Sequence, residues 1–424
     1  MSTRQGKRKY EPYRRYSTVD HKMFKASGVK PSLLANTGVV YKTTHATHFT
    51  HEQSIHSDEV SSTSGLSQSD MPKVPEFLKE DRGYSDDTVY NFDVTGSIIQ
   101  MMIDMKNKLE EVAPMTVVNY LKEHDTVRQL VHTYSNVCLN RCSVKILNIN
   151  SCFDKVITSV VKRNASCSYV DLCCAPGGFT FTLLKIFPTL RAHLTSMTSG
   201  KNAPYLKMAD VVNVDNFSNI KTMMDGDLTK KTFRTAFVNA VGECVNFVLG
   251  DGGIDCTSVE NYQEYYTRPL ILSQLIVGLQ VLQEGGFMIC KFFDMFSKYN
   301  VSLLALMSFM FESVYIAKPF SSKAGNAERY VLFKNYKRDR DIIEYVEDLM
   351  EQQDKSDGMM LNSFLDLTLV PEFATFVCDV NKKLARMQLT ELQKYMGMIR
   401  QPFNRRDVVN KTFRTYKYWK ANTK

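Results

Sequence analysis

A short apolar run that passes directly into a glycine turn constrains the fold of this chain more than any other feature. Residues 169–172 form the run, residues 173–178 form the small-residue turn, and a helical stretch follows as far as Pro188. Glycines lack the Cβ that would keep a ligand from the backbone, and the start of a helix presents unpaired N–H groups. The segment therefore predicts either a ligand-binding turn or an ordinary strand-to-helix turn of an α/β protein.

The charge of this turn indicates which ligand it would hold. A dinucleotide site would require G-x-G-x-x-G with a phosphate at the helix N-terminus, whereas this turn has the single pair Gly177 and Gly178 with Asp171 before it. A carboxylate at that place repels pyrophosphate and suits a cation. S-adenosylmethionine carries a sulfonium and an ammonium group, so the turn favours this cofactor over NAD. An NAD-dependent oxidoreductase is the alternative that the missing glycines weaken.

Further apolar runs bring charged residues to one predicted edge of a sheet. Residues 245–249 form a run that ends before Asp251, and residues 286–290 form a run that ends at Lys291. Between them, residues 262–282 show helical periodicity, which completes a β-α-β unit. A third run, residues 330–333, begins just after Glu328 and shares this edge if it runs antiparallel. Each charged residue alone could be a solvated strand end, but three together beside a glycine turn predict a site.

Six ordered segments between about residues 135 and 337 carry a combined pattern. They are NRCSVK at 140–145, YVDLCCAPGGF at 169–179, DGDLT at 225–229, DGG at 251–253, GGFMICKFFD at 285–294 and NAERY at 326–330. The pattern resembles the FtsJ-type (RrmJ-like) ribose 2′-O-methyltransferases, most closely the mRNA cap enzymes of animals and of large DNA viruses such as African swine fever virus. The resemblance implies an α/β, Rossmann-like methyltransferase fold with a mostly parallel seven-stranded sheet, one antiparallel strand, an N-terminal extension and C-terminal helices.

The resemblance implies a catalytic tetrad of Lys145, Asp251, Lys291 and Glu328. The chemistry agrees, because a ribose 2′-hydroxyl is a poor nucleophile and needs a positioned base as it attacks a methyl group in line. Lys291 is the predicted base, since partial burial and the second ammonium of Lys145 both disfavour its charged form. Asp251 and Glu328 would orient the two amines. No position has the spacing of metal ligands, so we expect no metal.

Lys155 and Lys162 are alternatives to Lys145, which is preferred because only it follows an Asn-Arg-small-small pattern like that of the family. The resemblance also implies cofactor contacts, with the turn on the methionine side and one acidic residue on the adenine side. The implied cofactor-binding residues are Asp171, Cys173, Ala175, Pro176, Gly177, Gly178, Phe179 and Asp227. Residues 194–197, after the second expected strand, offer no carboxylate for the cofactor ribose, which departs from many methyltransferases.

Length and charge set the expected organisation. A chain of 424 residues with 44% apolar residues can build one large α/β domain with appendages. We expect a basic, polar N-terminal extension with a linker at 1–95, an S-adenosylmethionine-dependent RrmJ-type domain at 96–337, and a helical region with a basic aromatic tail at 338–424. The net charge of +8 is concentrated at the ends: residues 1–31 hold nine Lys/Arg against two acids, and residues 400–424 hold eight against one. These ends either attract phosphates or only aid solubility.

Smaller features of the sequence bear on ligands, redox state and location. Trp419 in the aromatic tail would either stack on a cationic cap guanine or anchor the tail to its own domain. His45, His48 and His51 recur every third residue in a polar segment, as a metal site or as solvated loop histidines. The ten cysteines form no C-x-x-C pair, which indicates reduced thiols. No stretch resembles a signal peptide or a membrane span, so we expect a soluble, cytoplasmic protein.

Together these features predict a metal-independent, S-adenosylmethionine-dependent RNA ribose 2′-O-methyltransferase that acts on the first nucleotide of capped mRNA. Capped RNA is the expected partner, with other capping or transcription proteins as further candidates, and without DNA specificity or membrane binding. A viral source would place the protein at a cytoplasmic replication site and in the virion. The alternatives are a structured-RNA (rRNA-type) methyltransferase, and an RNA-binding or polymerase-associated subunit with this fold and little activity.

Overall fold

The computed structural model describes most of the region from residue 136 to residue 399 and three short segments before it. The described residues are 38–41, 77–79, 97–111, 131, 136–197, 220–224, 226–256, 260–319, 321–323, 325–338, 340–355, 359–361, 363–365 and 367–399. The histidine segment, Trp419 and both basic ends lie outside these residues.

The described residues form strands and helices that alternate through most of the chain. The strands are β1 (Gly38–Tyr41), β2 (Phe77–Lys79), β3 (Ser168–Leu172), β4 (Arg191–Ser196), β5 (Ile220–Met224), β6 (Val245–Gly250), β7 (Leu282–Phe293), β8 (Phe311–Pro319), β9 (Glu328–Tyr336) and β10 (Met359–Leu361). The helices are α1 (Ser97–Glu111), α2 (Arg141–Cys152), α3 (Val156–Arg163), α4 (Gly178–Ile186), α5 (Lys231–Val241), α6 (Gln263–Val281), α7 (Lys298–Met310), α8 (Arg340–Lys355) and α9 (Pro371–Ile399).

One large sheet has the strand order β1-β8-β9-β7-β6-β3-β4-β5. From β8 to β5 the strands are parallel, except that β9 is inserted antiparallel between β7 and β8. This core confirms the predicted mostly parallel seven-stranded sheet with one antiparallel strand. β1 adds an eighth strand, antiparallel to β8 at the edge, and β2 pairs with β10. β1 and β2 both lie within residues 1–95, the N-terminal extension in which the sequence analysis predicted no strand.

Helices cover both faces of the sheet because the central strands are apolar on both sides. Tyr169 packs with α2, α3 and α4 on one face, whereas its neighbour Val170 packs with α5, α6 and α7 on the other. This alternation is the two-residue period of a strand. Three rings stack across β3, β6 and β7 on the first face: the Tyr169 and Phe247 centroids are 4.9 Å apart, and the Phe247 and Phe287 centroids are 5.1 Å apart.

Replacement of Phe247 by alanine will lower the free energy of unfolding by about 3–5 kcal/mol, because the change removes a fully buried ring and leaves a cavity between two stacked neighbours. Urea denaturation measures the loss. Tyr262→Ala is the control, since 41% of that side chain is exposed. A loss for Phe247→Ala no larger than that of the control would show that the ring ladder does not stabilise the sheet.

The last helix, α9, packs against α1 through apolar side chains. The buried set that they share includes Ile99, Met102, Ala385, Leu389 and Leu392. The described apolar contacts of α9 are thus with another helix of the same chain. Among the described helices, none combines the length and the apolar character needed to cross a bilayer.

Candidate active site

The first charged pair of the site joins helix α2 to strand β9. Asn140 caps α2, because its Oδ1 accepts hydrogen bonds from the Cys142 and Ser143 amides at 2.8 and 3.3 Å. The cap fixes the first turn of the helix and thereby the place of Lys145. The Nζ of Lys145 donates to Oε2 of Glu328, the first residue of β9, at 2.8 Å. The two side chains are only 12% and 10% exposed.

The second charged pair lies at the ends of the neighbouring parallel strands β6 and β7. Asp251 follows the last residue of β6, and Lys291 lies near the end of β7. The Nζ of Lys291 donates to the Asp251 carbonyl oxygen at 2.7 Å and lies 3.2 Å from Asp251 Oδ1. Gly253 leaves the amine accessible, since a Cβ there would stand 3.1 Å from Lys291 Nζ. The carboxyl ends of these strands bring the pair together as predicted.

Tyr330 connects the two pairs, and the sequence reasoning missed it as a site residue. Its hydroxyl donates to Asp251 Oδ1 at 2.7 Å and lies 3.4 Å from Lys145 Nζ. The signal that could have found it is strand periodicity, because Glu328 and Tyr330 are two residues apart on β9 and share one face. The four predicted residues thus form one connected group with this tyrosine at its centre.

The charges of this group fix which members are ionised. Burial opposes the charge of Lys145, but Glu328 and Asp251 outweigh it and raise the lysine pKa well above its ordinary value. Burial also opposes ionisation of Glu328, yet Lys145 and Lys291 outweigh it and lower the pKa of that carboxyl. Burial, Asp251 and Glu328 raise the pKa of Tyr330, so its hydroxyl stays protonated and donates to Asp251. Lys145 and Glu328 therefore remain a charged pair at neutral pH.

The turn after β3 lies against the start of α2. The Ser143 hydroxyl donates to the Gly178 carbonyl oxygen at 3.0 Å. A Cβ on Gly178 would come within 2.2 Å of Asn140 Oδ1, so only glycine allows this approach. Gly177 has a φ of 96°, in the left-handed region that favours glycine. The turn and the helix that carries Lys145 are thereby joined into one unit.

Asp171 lies at the base of this turn with an incomplete set of partners. It is fully buried, and its Oδ2 accepts from the Thr180 hydroxyl at 2.6 Å. Its Oδ1 has no hydrogen-bond partner within the described residues. Burial raises the pKa of Asp171 to about 7, with a further contribution from Asp251 and opposition from the Thr180 hydrogen bond. A buried carboxylate oxygen without a partner suits a cationic ligand, so the residues present fit a sulfonium cofactor.

The other predicted cofactor residues occupy different settings. Burial raises the pKa of the Cys173 thiol to about 12, Lys291 opposes this increase, and Asp171 and Asp251 add to it, which shows that the thiol lies close to the charged groups. Phe179 is 3% exposed and packs in the core, so its backbone is what remains for a ligand. Ala175 and Pro176 are partly buried in the turn. Oδ1 of Asp227 accepts from the Thr229 amide and hydroxyl at 2.9 and 2.7 Å, which leaves Oδ2 for other contacts.

Ser196 lies in the segment 194–197, where the sequence offered no carboxylate for a cofactor ribose. It is the last residue of β4, and its hydroxyl accepts a hydrogen bond from the Ala175 amide at 3.2 Å. The carbonyl of Thr195 accepts from the Cys174 amide at 3.1 Å. The end of β4 therefore supports the turn rather than presenting an acidic group beside it.

A strained segment follows the strand that carries Lys291. Asp294 and Met295 have φ values of 51° and 87°, which cost about 1–3 kcal/mol each in non-glycine residues. The Asp294 carboxylate pairs with Arg329 at 3.3 Å and with Lys106 of α1 at 3.5 Å. The Met295 carbonyl accepts from the Asn381 side chain of α9 at 2.6 Å. Helices α1 and α9 thus hold the end of β7 in place, which sequence patterns did not indicate.

Glu264 holds the next residues of the same segment from helix α6. Its carboxylate accepts hydrogen bonds from the Phe296 amide at 3.0 Å, the Ser297 amide at 2.9 Å and the Asn300 side chain at 2.9 Å. Glu264 is buried, so these contacts satisfy a carboxylate that would otherwise be costly inside the protein. The segment after Lys291 is therefore fixed from three helices.

Comparison with known proteins adds an independent line of evidence. The FtsJ-like methyltransferase family matches residues 138–336. Cap-specific mRNA (nucleoside-2'-O-)-methyltransferase 1 of Xenopus laevis is 28% identical over 291 residues, which cover 62% of this chain and 34% of that protein. The protein of the same name from Homo sapiens is 27% identical over 288 residues, with the same coverage. This chain thus spans about a third of the length of the curated relatives that it matches.

Solved structures show a weaker likeness. A putative ribosomal RNA methyltransferase from Plasmodium falciparum aligns with 43% of this chain and 95% of its own, at 17% identity and a TM-score of 0.32. That similarity is too low to indicate function. The family match, by contrast, contains the strands β3 to β9, the glycine turn and both charged pairs. Residues 138–336 are therefore similar to the FtsJ-like methyltransferases.

Proposed function

We propose that this chain is an S-adenosylmethionine-dependent RNA ribose 2′-O-methyltransferase that acts on the first nucleotide of capped mRNA. The observation that carries the proposal is the connected group of two lysine–carboxylate pairs beside the glycine turn, joined through Tyr330. The names of the curated relatives support the substrate, since they are cap-specific mRNA nucleoside-2'-O-methyltransferases. An RNA-binding subunit with little activity would not need this arrangement of buried charges.

The chain supplies the base for the reaction through Lys291. Its amine donates to the Asp251 carbonyl at 2.7 Å and lies 3.2 Å from the carboxylate, which directs two of the three Nζ positions. The third position of the neutral amine is a lone pair that accepts the proton of the ribose 2′-hydroxyl. Lys291 thus takes the proton while the ribose oxygen bonds to the methyl carbon and the carbon–sulfur bond breaks.

Lys145 has a different role because Glu328 and Asp251 raise its pKa and keep it charged. A charged ammonium stabilises negative charge that develops on the ribose oxygen as its proton leaves. Glu328 has a second oxygen, Oε1, that is buried and has no hydrogen-bond partner within the described residues. We assign it as an acceptor for a substrate hydroxyl or for water.

The cofactor is assigned to the turn between β3 and α4. S-adenosylmethionine supplies a methyl group on a positively charged sulfur, which makes the methyl carbon electrophilic. Asp171 would hold the positive charges, and the backbone of Ala175, Gly177 and Gly178 would line the methionine side. Asp227 would contact the adenine side through its remaining oxygen. Cys173 stays a protonated thiol because burial raises its pKa, so it contributes shape and not a nucleophile.

The ionisation of Asp171 predicts a pH dependence of cofactor affinity. Because the pKa of the buried carboxyl is raised to about 7, the group is largely neutral at pH 6 and largely charged at pH 7.5. A cation binds the charged form, so we expect the affinity for S-adenosylmethionine to fall about fivefold to tenfold between pH 7.5 and pH 6. Isothermal titration calorimetry measures it. We expect Asp171→Asn to bind S-adenosylmethionine more weakly, with an affinity that does not change with pH. If the affinity of this variant depended on pH as strongly as that of wild type, a group other than Asp171 would be responsible.

Transfer of a labelled methyl group distinguishes the cap enzyme from its rivals. The full chain is incubated with labelled S-adenosylmethionine and either a short capped RNA or a fragment of structured ribosomal RNA. We expect incorporation into the capped RNA alone. Incorporation into ribosomal RNA alone would favour the structured-RNA enzyme. Binding of both cofactor and capped RNA without incorporation would favour the RNA-binding subunit.

The proposal includes partners and location. Capped RNA is the substrate, in line with the names of the curated relatives, and other capping or transcription proteins are the proposed neighbours. The basic ends outside the described residues would attract RNA phosphates. A viral source, suggested by the resemblance of the motifs and length, would place the reaction in the cytoplasm.

A further inference from the structure

A third lysine, Lys318, lies buried behind Glu328. It stands one residue before the end of β8 and is only 7% exposed. Its Nζ donates to the Asn326 carbonyl oxygen at 2.8 Å, to the Glu328 carbonyl oxygen at 2.7 Å and to Asn326 Oδ1. All three donors of the ammonium are therefore directed at the turn that leads into β9.

Asn326 completes this contact from inside the turn. Its Oδ1, which accepts from Lys318, also accepts from the Glu328 amide and the Ser322 hydroxyl, both at 3.2 Å. The amide and the carbonyl of Glu328 are consequently both held by this pair, one through the asparagine and one directly by the lysine. The backbone of Glu328 is fixed on both sides, whereas its side chain reaches Lys145 at 2.8 Å.

The burial and charge of Lys318 indicate a role beyond filling space in the core. Its acceptors are neutral oxygens, and no carboxylate within the described residues forms a salt bridge with it. Burying an ammonium without a paired carboxylate is unfavourable, so an apolar side chain would fill the space with less penalty. Burial lowers the pKa of Lys318 to about 7, with opposition from Glu328 and Asp294 and reinforcement from Arg329 and Lys145. The amine contacts the backbone of a tetrad residue, Glu328.

Helix α9 closes the same turn from its outer side. The Gln388 side chain donates to the Gly325 carbonyl oxygen at 3.1 Å. Lys318, Asn326 and Arg329 line a small cavity with this part of α9. The turn is thus enclosed between β8 and α9, and solvent does not replace the contacts of Lys318 when they are lost.

We propose that Lys318 is a positioning residue for methyl transfer: through Asn326 and the Glu328 carbonyl, its amine clamps the backbone of Glu328 so that the Glu328 carboxylate holds Lys145 in the active site. This inference rests on the proposed function. Lys318 does not touch the reacting atoms and is not assigned to the chemical step. Loss of the clamp displaces the carboxylate, while the glycine turn, to which none of these Lys318 hydrogen bonds leads, keeps its shape.

Two measurements on Lys318→Met test this assignment. Methionine has a similar length but no hydrogen-bond donor. Hydrogen exchange should become about tenfold faster in a peptide covering residues 325–330 and stay unchanged in one covering 168–178. In methyl transfer to capped RNA, kcat should fall about tenfold to a hundredfold, with the Kd for S-adenosylmethionine and the KM for RNA within about twofold of wild type. Asn326→Ala removes the other half of the clamp and should give the same pattern.

Lys334→Met is the matched control, because Lys334 lies on β9 towards the opposite end of the same hairpin and outside the site. It should leave exchange at residues 325–330 and kcat within about twofold of wild type. Unchanged exchange in both Lys318→Met and Asn326→Ala, or a kcat loss matched by an equal loss of cofactor affinity, would overturn the assignment. A wild-type chain that transfers no methyl group contradicts the proposed function instead, and the exchange measurement then decides the role of the clamp by itself.

Discussion

Replacement of Lys291 by alanine will reduce the rate of methyl transfer by about a thousandfold or more while leaving cofactor binding intact. A general base accelerates a reaction by about 10²–10⁴-fold, and the substitution also removes the amine that orients the ribose hydroxyl. Lys291 donates to the Asp251 carbonyl near the end of β7, whereas Asp171, which is assigned to the cofactor, accepts from Thr180. Single-turnover transfer to capped RNA and calorimetric titration of S-adenosylmethionine measure the two effects separately.

The control for this loss is Lys298→Ala. Lys298 begins α7 a short distance along the chain and lies outside both charged pairs. We expect its variant to keep wild-type rates within about twofold. If Lys291→Ala kept more than a tenth of the wild-type rate, a group other than Lys291 would have to take the proton.

Replacement of Glu328 by glutamine will destabilise the protein by about 3–5 kcal/mol and reduce transfer at the same time, because it leaves the charge of buried Lys145 without its partner. The pKa of Glu328 is lowered in the folded state, so its contribution to stability is fully present above the ordinary carboxyl pKa. It is lost only as the pH falls through the lowered value. Urea denaturation at pH 7.5 therefore compares the two proteins where the wild-type pair is fully charged.

The double variant Lys145→Met with Glu328→Gln separates stability from catalysis. It removes both charges, so we expect it to regain most of the stability lost by Glu328→Gln alone, while transfer stays at or below the level of the single variant. Equal stability of Glu328→Gln and wild type would show that the pair is not buried in solution. A double variant that regained activity would show that neither residue takes part in the reaction.

The central sheet was predictable because its strands are apolar on both faces and each ends in a recognisable turn. Apolar runs located β3, β6, β7 and β9. One antiparallel strand was implied by the resemblance, and the antiparallel direction of β9 meets the condition under which Glu328 shares the edge that carries Lys291. β1 was not predictable, since four residues in a polar region become a strand only through pairing with β8. Long-range pairing of that kind leaves no periodic pattern in the sequence.

The charged pairs of the site could be predicted, but their connections could not. Lys145, Asp251, Lys291 and Glu328 lie in segments that motifs identify, and the structure brings them together. Tyr330 was part of a recognised motif, yet its place between the pairs depends on the distance between β9 and β6, which is a tertiary property.

Contacts from outside the family match were also beyond sequence reasoning. Asp294 forms an ion pair with Lys106 of α1, more than 180 residues earlier in the chain, and Asn381 of α9 donates to the neighbouring Met295.

Lys318 in β8 lacks any charge pattern that distinguishes it from a surface lysine. The proposed role of Lys318 depends on its burial against the turn that leads into β9, and the shape of that turn is defined only in the folded chain.

The most direct test of the central claim compares two capped RNAs that differ in a single methyl group. One RNA has a free 2′-hydroxyl on its first transcribed nucleotide, and the other carries a 2′-O-methyl group there. We expect labelled methyl from S-adenosylmethionine to enter the first RNA and not the second. Equal incorporation into both RNAs would contradict the proposed reaction, because the hydroxyl assigned to attack the methyl group is absent from the second.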